Sequence, residues 1–307
     1  MATPRVQTVQ AQQEDAGERL DRFLASKVPG LTLERARQLA DEGRVRIRGK
    51  TASFKRKLWG NELIELDLPG PEPVHVATDA PEVPLLYADA DLVVVDKPAG
   101  LVVESEGKGR SVAEIVGARL GGCEVAGVAA PGVVHRLDRE TSGCLALART
   151  DAAWAALEAA FQSKRIQKRY LALVLGEPPD SLRLEGPYGR DPADPRRFTT
   201  RARSARRAAL SFKVEERFPG AALLEVALET GRTHQIRVQL SEAGFPVLAD
   251  ALYGQDAARH HPAAQMIGRQ ALHAVRLQLP APSGTEVAVE APLPSDFARS
   301  LAWFRRA

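Results

Sequence analysis

The chain begins with thirteen polar, aperiodic residues, and that pattern predicts a frayed tail over positions 1–13. Leu20, Phe23, Leu24 and Val28 then recur at helical spacing. After the Pro29-Gly30 break, a second helix is expected behind Thr32, with Leu33, Ala36 and Leu39 on one side. The stretch RVRIRGK follows. Read as a strand, it sets Arg44, Arg46 and Arg48 on one face and Val45 and Ile47 on the other, because strand side chains alternate. LWGNELIELDL reads as a turn and a strand that closes a compact unit over 14–68.

Five prolines between Pro69 and Pro84 resist regular structure and predict a semi-rigid linker over 69–83. Beyond it, over 84–307, LVVVDK is a short apolar strand ended by Lys97-Pro98. Ser111 and Glu114 have capping-box spacing ahead of the apolar stripe Val112, Ile115, Val116 and Leu120. VVHRLDRETSGCLALAR has apolar flanks around a polar centre, which predicts two strands joined by a charged loop that carries Asp138. A helix with Trp154, Leu157 and Phe161 on one face is expected after Thr150. YLALVLG, LSFKVEERF and ALLEVALET alternate as strands, and Thr233 is placed to cap a helix that ends at Gly244. Mixed strand patterns without regular βαβ alternation indicate an α+β domain with a mixed, largely antiparallel sheet, behind a small α/β N-terminal domain.

Charge changes this picture more than composition does. The net charge is only +3, yet Lys164 to Lys213 holds thirteen Lys or Arg against five acids, and Arg44 to Lys57 holds seven bases and no acid. Localised cations of this kind favour a polyanion, because neutralising phosphates releases condensed counterions. Two cysteines, Cys123 and Cys144, without ligand spacing point to neither a zinc site nor a disulfide framework. No long apolar run or signal-peptide core is present, so a cytoplasmic protein without membrane association is expected.

HRLDRETSG stands without the glycine-rich loop and DFG of a kinase, and SEGKGRS lacks the Walker spacing. His135 and Asp138 alone make a weak metal pair. What remains is one aspartate among arginines. A neighbouring guanidinium favours the ionised carboxylate, which suits attack at a sugar carbon or proton removal better than general-acid work. Two-carboxylate glycoside hydrolysis lacks a convincing second acid. A salt-bridged loop residue remains the plain structural alternative for Asp138.

VVHRLDRETSG (133–143), taken with VVVDKPAGLVV, KRYLALVLG, ETGRTHQIRVQL, LADALYG, LHAVRLQL and APLPSDF in this order, resembles the RluA-type pseudouridine synthase family over roughly 84–298. The unit at 14–68, opening on GERLDRFL, resembles the ribosomal-S-four-type RNA-binding domain. The resemblance implies isomerisation of uridine to pseudouridine within RNA, without metal or cofactor. It matches Asp138 to the catalytic aspartate, Tyr170 to the tyrosine that stacks on the target base, and Arg237 to the arginine that pairs with the aspartate. Arg136 matches a residue that approaches the RNA where the base has left. Arg139, Lys168 and Arg169, with Arg44, Arg46 and Arg48 in the small domain, are the further RNA contacts expected. The enzyme is expected to act as a monomer on large-subunit ribosomal RNA. A tRNA pseudouridine synthase and a non-catalytic RNA-binding assembly factor are the competing readings. Glu104, Gln239 and Ala251 depart from the usual family residues, which puts the RNA target in doubt and not the reaction.

Overall fold

The structure is a computed structural model that describes residues 5–28, 31, 33–68, 79–104, 111–121, 123, 125, 130–163, 165–202 and 206–306. In the N-terminal part the elements are β1 (Arg5–Gln10), α1 (Leu20–Lys27), α2 (Leu33–Asp41), β2 (Val45–Ile47), β3 (Lys50–Thr51) and β4 (Leu63–Leu68). Among the described residues they build a four-stranded sheet in the order β1-β4-β2-β3. Leu20, Phe23, Leu24, Ala36 and Leu39 pack with Val45, Ile47, Ile64 and Leu66 into a core of their own. The helical faces read from spacing are therefore the buried ones, except at Leu33, which opens α2 and is exposed. Thr32, expected to open α2, and positions 69–78 of the expected linker lie outside the described residues.

Two expectations fail in this part. Residues 5–10 are not a frayed tail: β1 pairs antiparallel with β4, from Arg5↔Leu68 to Gln10↔Leu63. Only Val9 of this strand packs against the core, so the pairing satisfies backbone groups along an edge and leaves little apolar signal in the sequence. The cationic strand face is also shorter than RVRIRGK suggests. Arg46 projects outward from β2, whereas Arg44 is drawn to Glu42 at 3.0 Å and Asp67 at 3.4 Å. Arg48 sits with Gly49 in a two-residue turn into β3, with φ of 54° and 73° respectively. Such a pair of positive φ angles is what a tight hairpin demands.

The second part runs β5 (Leu85–Ala88), β6 (Leu92–Lys97), α3 (Val112–Leu120), β7 (Gly132–Val133), β8 (Ser142–Ala148), α4 (Asp151–Gln162), β9 (Gln167–Leu175), β10 (Ser181–Arg190) and β11 (Phe198–Thr199). It continues with β12 (Arg206–Phe218), β13 (Ala221–Leu228), α5 (Gln235–Glu242), α6 (Asp256–His260), α7 (Pro262–Ile267), β14 (Leu272–Pro280), β15 (Glu286–Glu290) and α8 (Ser295–Phe304). Among the described residues the strands form one large sheet with the path β11-β10-β12-β13-β9-β14-β8-β6-β5, in which β14 and β8 are the parallel neighbours. This is the mixed, largely antiparallel α+β architecture expected. Val83, assigned to the linker by its proline-rich setting, is buried against this core, and its carbonyl accepts from Arg119.

Alternation along β6 and β8 sends Val93, Val95, Leu145 and Leu147 to one side, where α3, α5, α7 and α8 pack. Leu92, Val94, Cys144 and Ala146 go to the other, against Ala153, Leu157 and Ala160 of α4. Both faces are covered, which explains why these strands read as uninterrupted apolar runs. Gly143 lies where β8 approaches β14. A Cβ there would stand 2.2 Å from the Ala274 carbonyl oxygen, and its φ is +112°, so only glycine lets the two backbones meet. No helix among the described residues is long and apolar enough to cross a membrane.

Candidate active site

The loop between β7 and β8 carries Asp138, as its polar centre predicts, and it is pinned from several sides. Lys97, fully buried at the end of β6, donates to the carbonyls of Pro98, Leu101 and Arg139 at 2.9, 2.7 and 2.9 Å. Burial pushes the Lys97 ammonium down to about 7, and the three carbonyls account for all its donors. The Arg139 carbonyl also accepts from Gly100 N, and Arg139 Nε donates back to the Gly100 carbonyl. On the far side, Arg269 forks onto Asp296 at the start of α8 and donates to the Glu140 carbonyl at 3.0 Å. Thr141 N closes the turn on the Asp138 carbonyl. His135 is a loop anchor: Nε2 accepts from Ala146 N at 2.9 Å, and burial, with Lys168 nearby, pushes the ring down to about 3, so it stays neutral.

Asp138 opens into a cleft of about 820 Å³ that Tyr170, Lys168, Arg136, His234 and Arg237 also line. Its Oδ2 accepts from Arg237 Nη1 at 2.9 Å. Arg237 comes from α5, ninety-nine residues away in sequence, and is not the surface residue its position between Ile236 and Val238 allows. Asp250, fully buried, takes Arg237 Nε and Nη2 at 2.7 and 2.9 Å and accepts Leu252 N and Tyr253 N as well. One guanidinium thus bridges two carboxylates. Burial works against its charge, but the hydrogen bonds to Asp250 and the fields of both aspartates outweigh burial and raise its proton affinity. Burial opposes charge on Asp250 too, and Arg237 overrides it and holds that carboxyl below its usual range.

Tyr170, on β9, is buried, and burial together with the charge of Asp138 pushes its phenol up. It is therefore a neutral ring at the cleft wall and no base. Lys168 shares its strand face, sits with its ammonium 5.4 Å from the Phe161 ring, and has its proton affinity lowered by burial. Arg169, one position on, approaches Glu225 of β13 at 3.8 Å. Arg136 is exposed at the cleft, and Arg139 is exposed beyond its bond to Gly100. Arg44, Arg46 and Arg48 lie in the small sheet's unit described above.

The start of α5 differs from the expected Thr233 cap. His234 is the N-cap residue, left-handed with φ of 58°, and makes no side-chain cap. Gln235 closes the turn instead, its Oε1 accepting Arg232 N and the Thr230 hydroxyl. His234 Nε2 stands 3.9 Å from Asp138 Oδ1, and Nδ1 meets the Tyr253 hydroxyl at 2.9 Å. Gln239, one of the family departures, is buried and bridges Gln235 to the Leu184 carbonyl, whereas Glu104 and Ala251 are exposed. Asp250, Tyr253, Lys97 and the Arg269–Asp296 pair escape sequence reasoning, although LADALYG, DKPAG and PSDF mark their places. Nothing local in those motifs says which charge each side chain meets.

Known proteins bear on this cleft. A family profile described as RNA pseudouridylate synthase matches residues 91–242. An uncharacterized RNA pseudouridine synthase from Chloroflexus aurantiacus is 38% identical over 91% of this chain and 87% of its own. Ribosomal large subunit pseudouridine synthase D from Zymomonas mobilis is 36% identical over 92% and 93%. Among solved structures, human RNA pseudouridylate synthase domain containing 1 matches with a TM-score of 0.60 and 25% identity over 71% of this chain and 87% of its own. With relatives aligned along nearly their whole length and the motif residues gathered at one cleft, the chain belongs to the RluA-type RNA pseudouridine synthase family and is an isomerase acting on RNA.

Proposed function

We propose that this enzyme isomerises uridines of large-subunit ribosomal RNA, with Asp138 as the carboxylate that works on the target ribose. The observation that carries this reading is the cleft carboxylate held through Oδ2 by the buried Arg237. Asp250 is consumed by that same guanidinium and is fully buried, so it is no partner to Asp138 in the manner of a glycosidase pair. Asp138 then acts either by attack at the ribose or by removing a neighbouring proton; both need the ionised group and leave the base free to turn and rejoin through carbon five. Tyr170 offers a neutral aromatic face to the extruded base, and Arg136 enters the gap the base leaves. Unstacking costs a few kcal/mol, which such contacts offset.

The unit at 14–68 serves as an RNA-binding domain in this reading, with Arg46 and Arg48 on its RNA side and Arg139, Lys168 and Arg169 flanking the cleft. Support for a ribosomal target comes from relatives named ribosomal large subunit pseudouridine synthase D, of which this chain covers 93% and 84%. The test is to incubate the enzyme with transcribed large-subunit ribosomal RNA and tRNA, treat with carbodiimide and map reverse-transcription stops. Stops on ribosomal RNA that vanish with Asp138→Asn are expected. Stops on tRNA alone would reassign the substrate, stops that persist in Asp138→Asn would overturn the mechanism, and no stops on either RNA would favour a binding factor.

A further inference from the structure

The turn before α5 puts a histidine beside the working aspartate, and a chain of hydrogen bonds fixes where its proton lies. Phe198 N, in β11, donates to the Tyr253 hydroxyl at 3.0 Å. Tyr253 is buried, and the other group at its hydroxyl is His234 Nδ1 at 2.9 Å. A backbone N–H can only donate, so the hydroxyl proton finds an acceptor only if it points at Nδ1. Burial raises the proton affinity of the Tyr253 phenol, which keeps that proton in place. Burial likewise favours the neutral imidazole at His234, although Asp138 opposes it. The neutral ring with Nδ1 as acceptor carries its hydrogen on Nε2. That hydrogen faces the cleft next to Asp138 Oδ1, the oxygen Arg237 leaves free.

The 3.9 Å between Nε2 and Oδ1 is too long for a hydrogen bond, yet one oxygen can stand about 2.8 Å from both. To satisfy both it must accept from Nε2 and donate to Oδ1, and among the oxygens of an internal uridine only the 2′-hydroxyl does both; the carbonyls of uracil only accept. We infer that His234 is a catalytic residue whose Nε2–H, paired with Asp138 Oδ1, binds the 2′-hydroxyl of the target nucleotide. This rests on the reading of Asp138 given above. The proton stays on Nε2 throughout, and the bond holds the adjacent ribose carbons against Oδ1, whether that oxygen attacks or removes a proton. It also makes the site selective for RNA over DNA at the modified position, since the 2′-hydroxyl is both donor and acceptor.

The experiment uses the full-length enzyme and a ribosomal RNA fragment whose modified uridine has been mapped, made with uridine or 2′-deoxyuridine at that position. His234→Asn tolerates the left-handed backbone but cannot reach as far as Nε2, and His234→Gln restores an N–H near it. Single-turnover rates on the uridine fragment are expected to fall about 100-fold in His234→Asn and to recover about tenfold in His234→Gln, with RNA affinity within about threefold of wild type. The deoxy substitution is expected to slow the wild type by a similar factor and to slow His234→Asn by no more than about threefold further, because the two changes remove one contact. Tyr253→Phe, which frees Nδ1 without touching the ring, should lose about fivefold and narrow the same ribose preference. An unimpaired His234→Asn, losses that multiply, or an unchanged preference in Tyr253→Phe would each overturn the inference. Asp138→Asn separates the two readings: its activity tests the aspartate alone, whatever His234 does.

Discussion

Two clusters in this molecule bring guanidinium and carboxylate groups together, and burial makes them unlike. Arg237 with Asp138 and Asp250 lies between α5 and the loop that carries Asp138, largely out of solvent. Arg183 and Arg207 with Glu185 and Glu229 lie exposed across β10, β12 and the end of β13. Both use bidentate geometry. Taking charges out of water makes every missing partner expensive, so the buried cluster has one permitted arrangement and can aim a carboxylate. The exposed cluster is screened and replaceable. It also shows where much of the positive charge between Lys164 and Lys213 goes: into acids of the same sheet, with Arg196 likewise held by Asp194.

The largest effect tests the division of labour inside the buried cluster. Asp138→Asn should lower the single-turnover rate by about 10⁴-fold or more while the Tm stays within a few degrees, because Asp138 is 21% exposed and can be rehydrated. Asp250→Ala should do the reverse at first: chemical denaturation should register a loss of about 3–5 kcal/mol, since an almost buried guanidinium loses its fork. Equal stability losses in the two variants would erase the distinction drawn between them.

Buried neutral histidines extend the comparison to pH. His273, bonded to Ser142 and the Ala291 carbonyl, is pushed by burial from 6.5 to about 4. The unfolded chain binds that proton first, so its contribution to stability is complete above pH 6.5 and is lost as pH falls toward 4. The unfolding free energy of His273→Asn, measured in urea, should therefore fall less steeply over that window, by about 1.4 kcal/mol per pH unit. An identical slope in the variant would mean His273 does not enter the fold neutral.

The smaller effects lie on the surface. Arg46→Glu with Arg48→Glu should weaken RNA binding about tenfold at low salt and flatten its salt dependence, while bound RNA still turns over. Unchanged affinity in a titration would remove the N-terminal unit from the RNA surface. Least of all, Glu229→Ala should move the Tm by no more than about 2 °C, and by less still in high salt, for the ion pairs it breaks are exposed. A larger shift would show that the exposed cluster behaves like the buried one.

The sequence alone carried the periodic features: the apolar stripes of α1, α2, α3 and α4, the capping box at Ser111, the covered strands β6 and β8, and a charged loop bearing Asp138. These are local, because spacing decides which face of a helix or strand is buried. The family resemblance of the motifs also implied the pairing of Asp138 with Arg237. Tertiary structure alone decided what is set by contact between distant segments. It recruited residues 5–10 as an edge strand, spent Arg44 on Asp67, moved the α5 cap from Thr233 to a left-handed His234, and set Asp250 behind Arg237. Each outcome depends on which partner reaches a charge or a backbone group first in three dimensions, and no one-dimensional pattern records that distance.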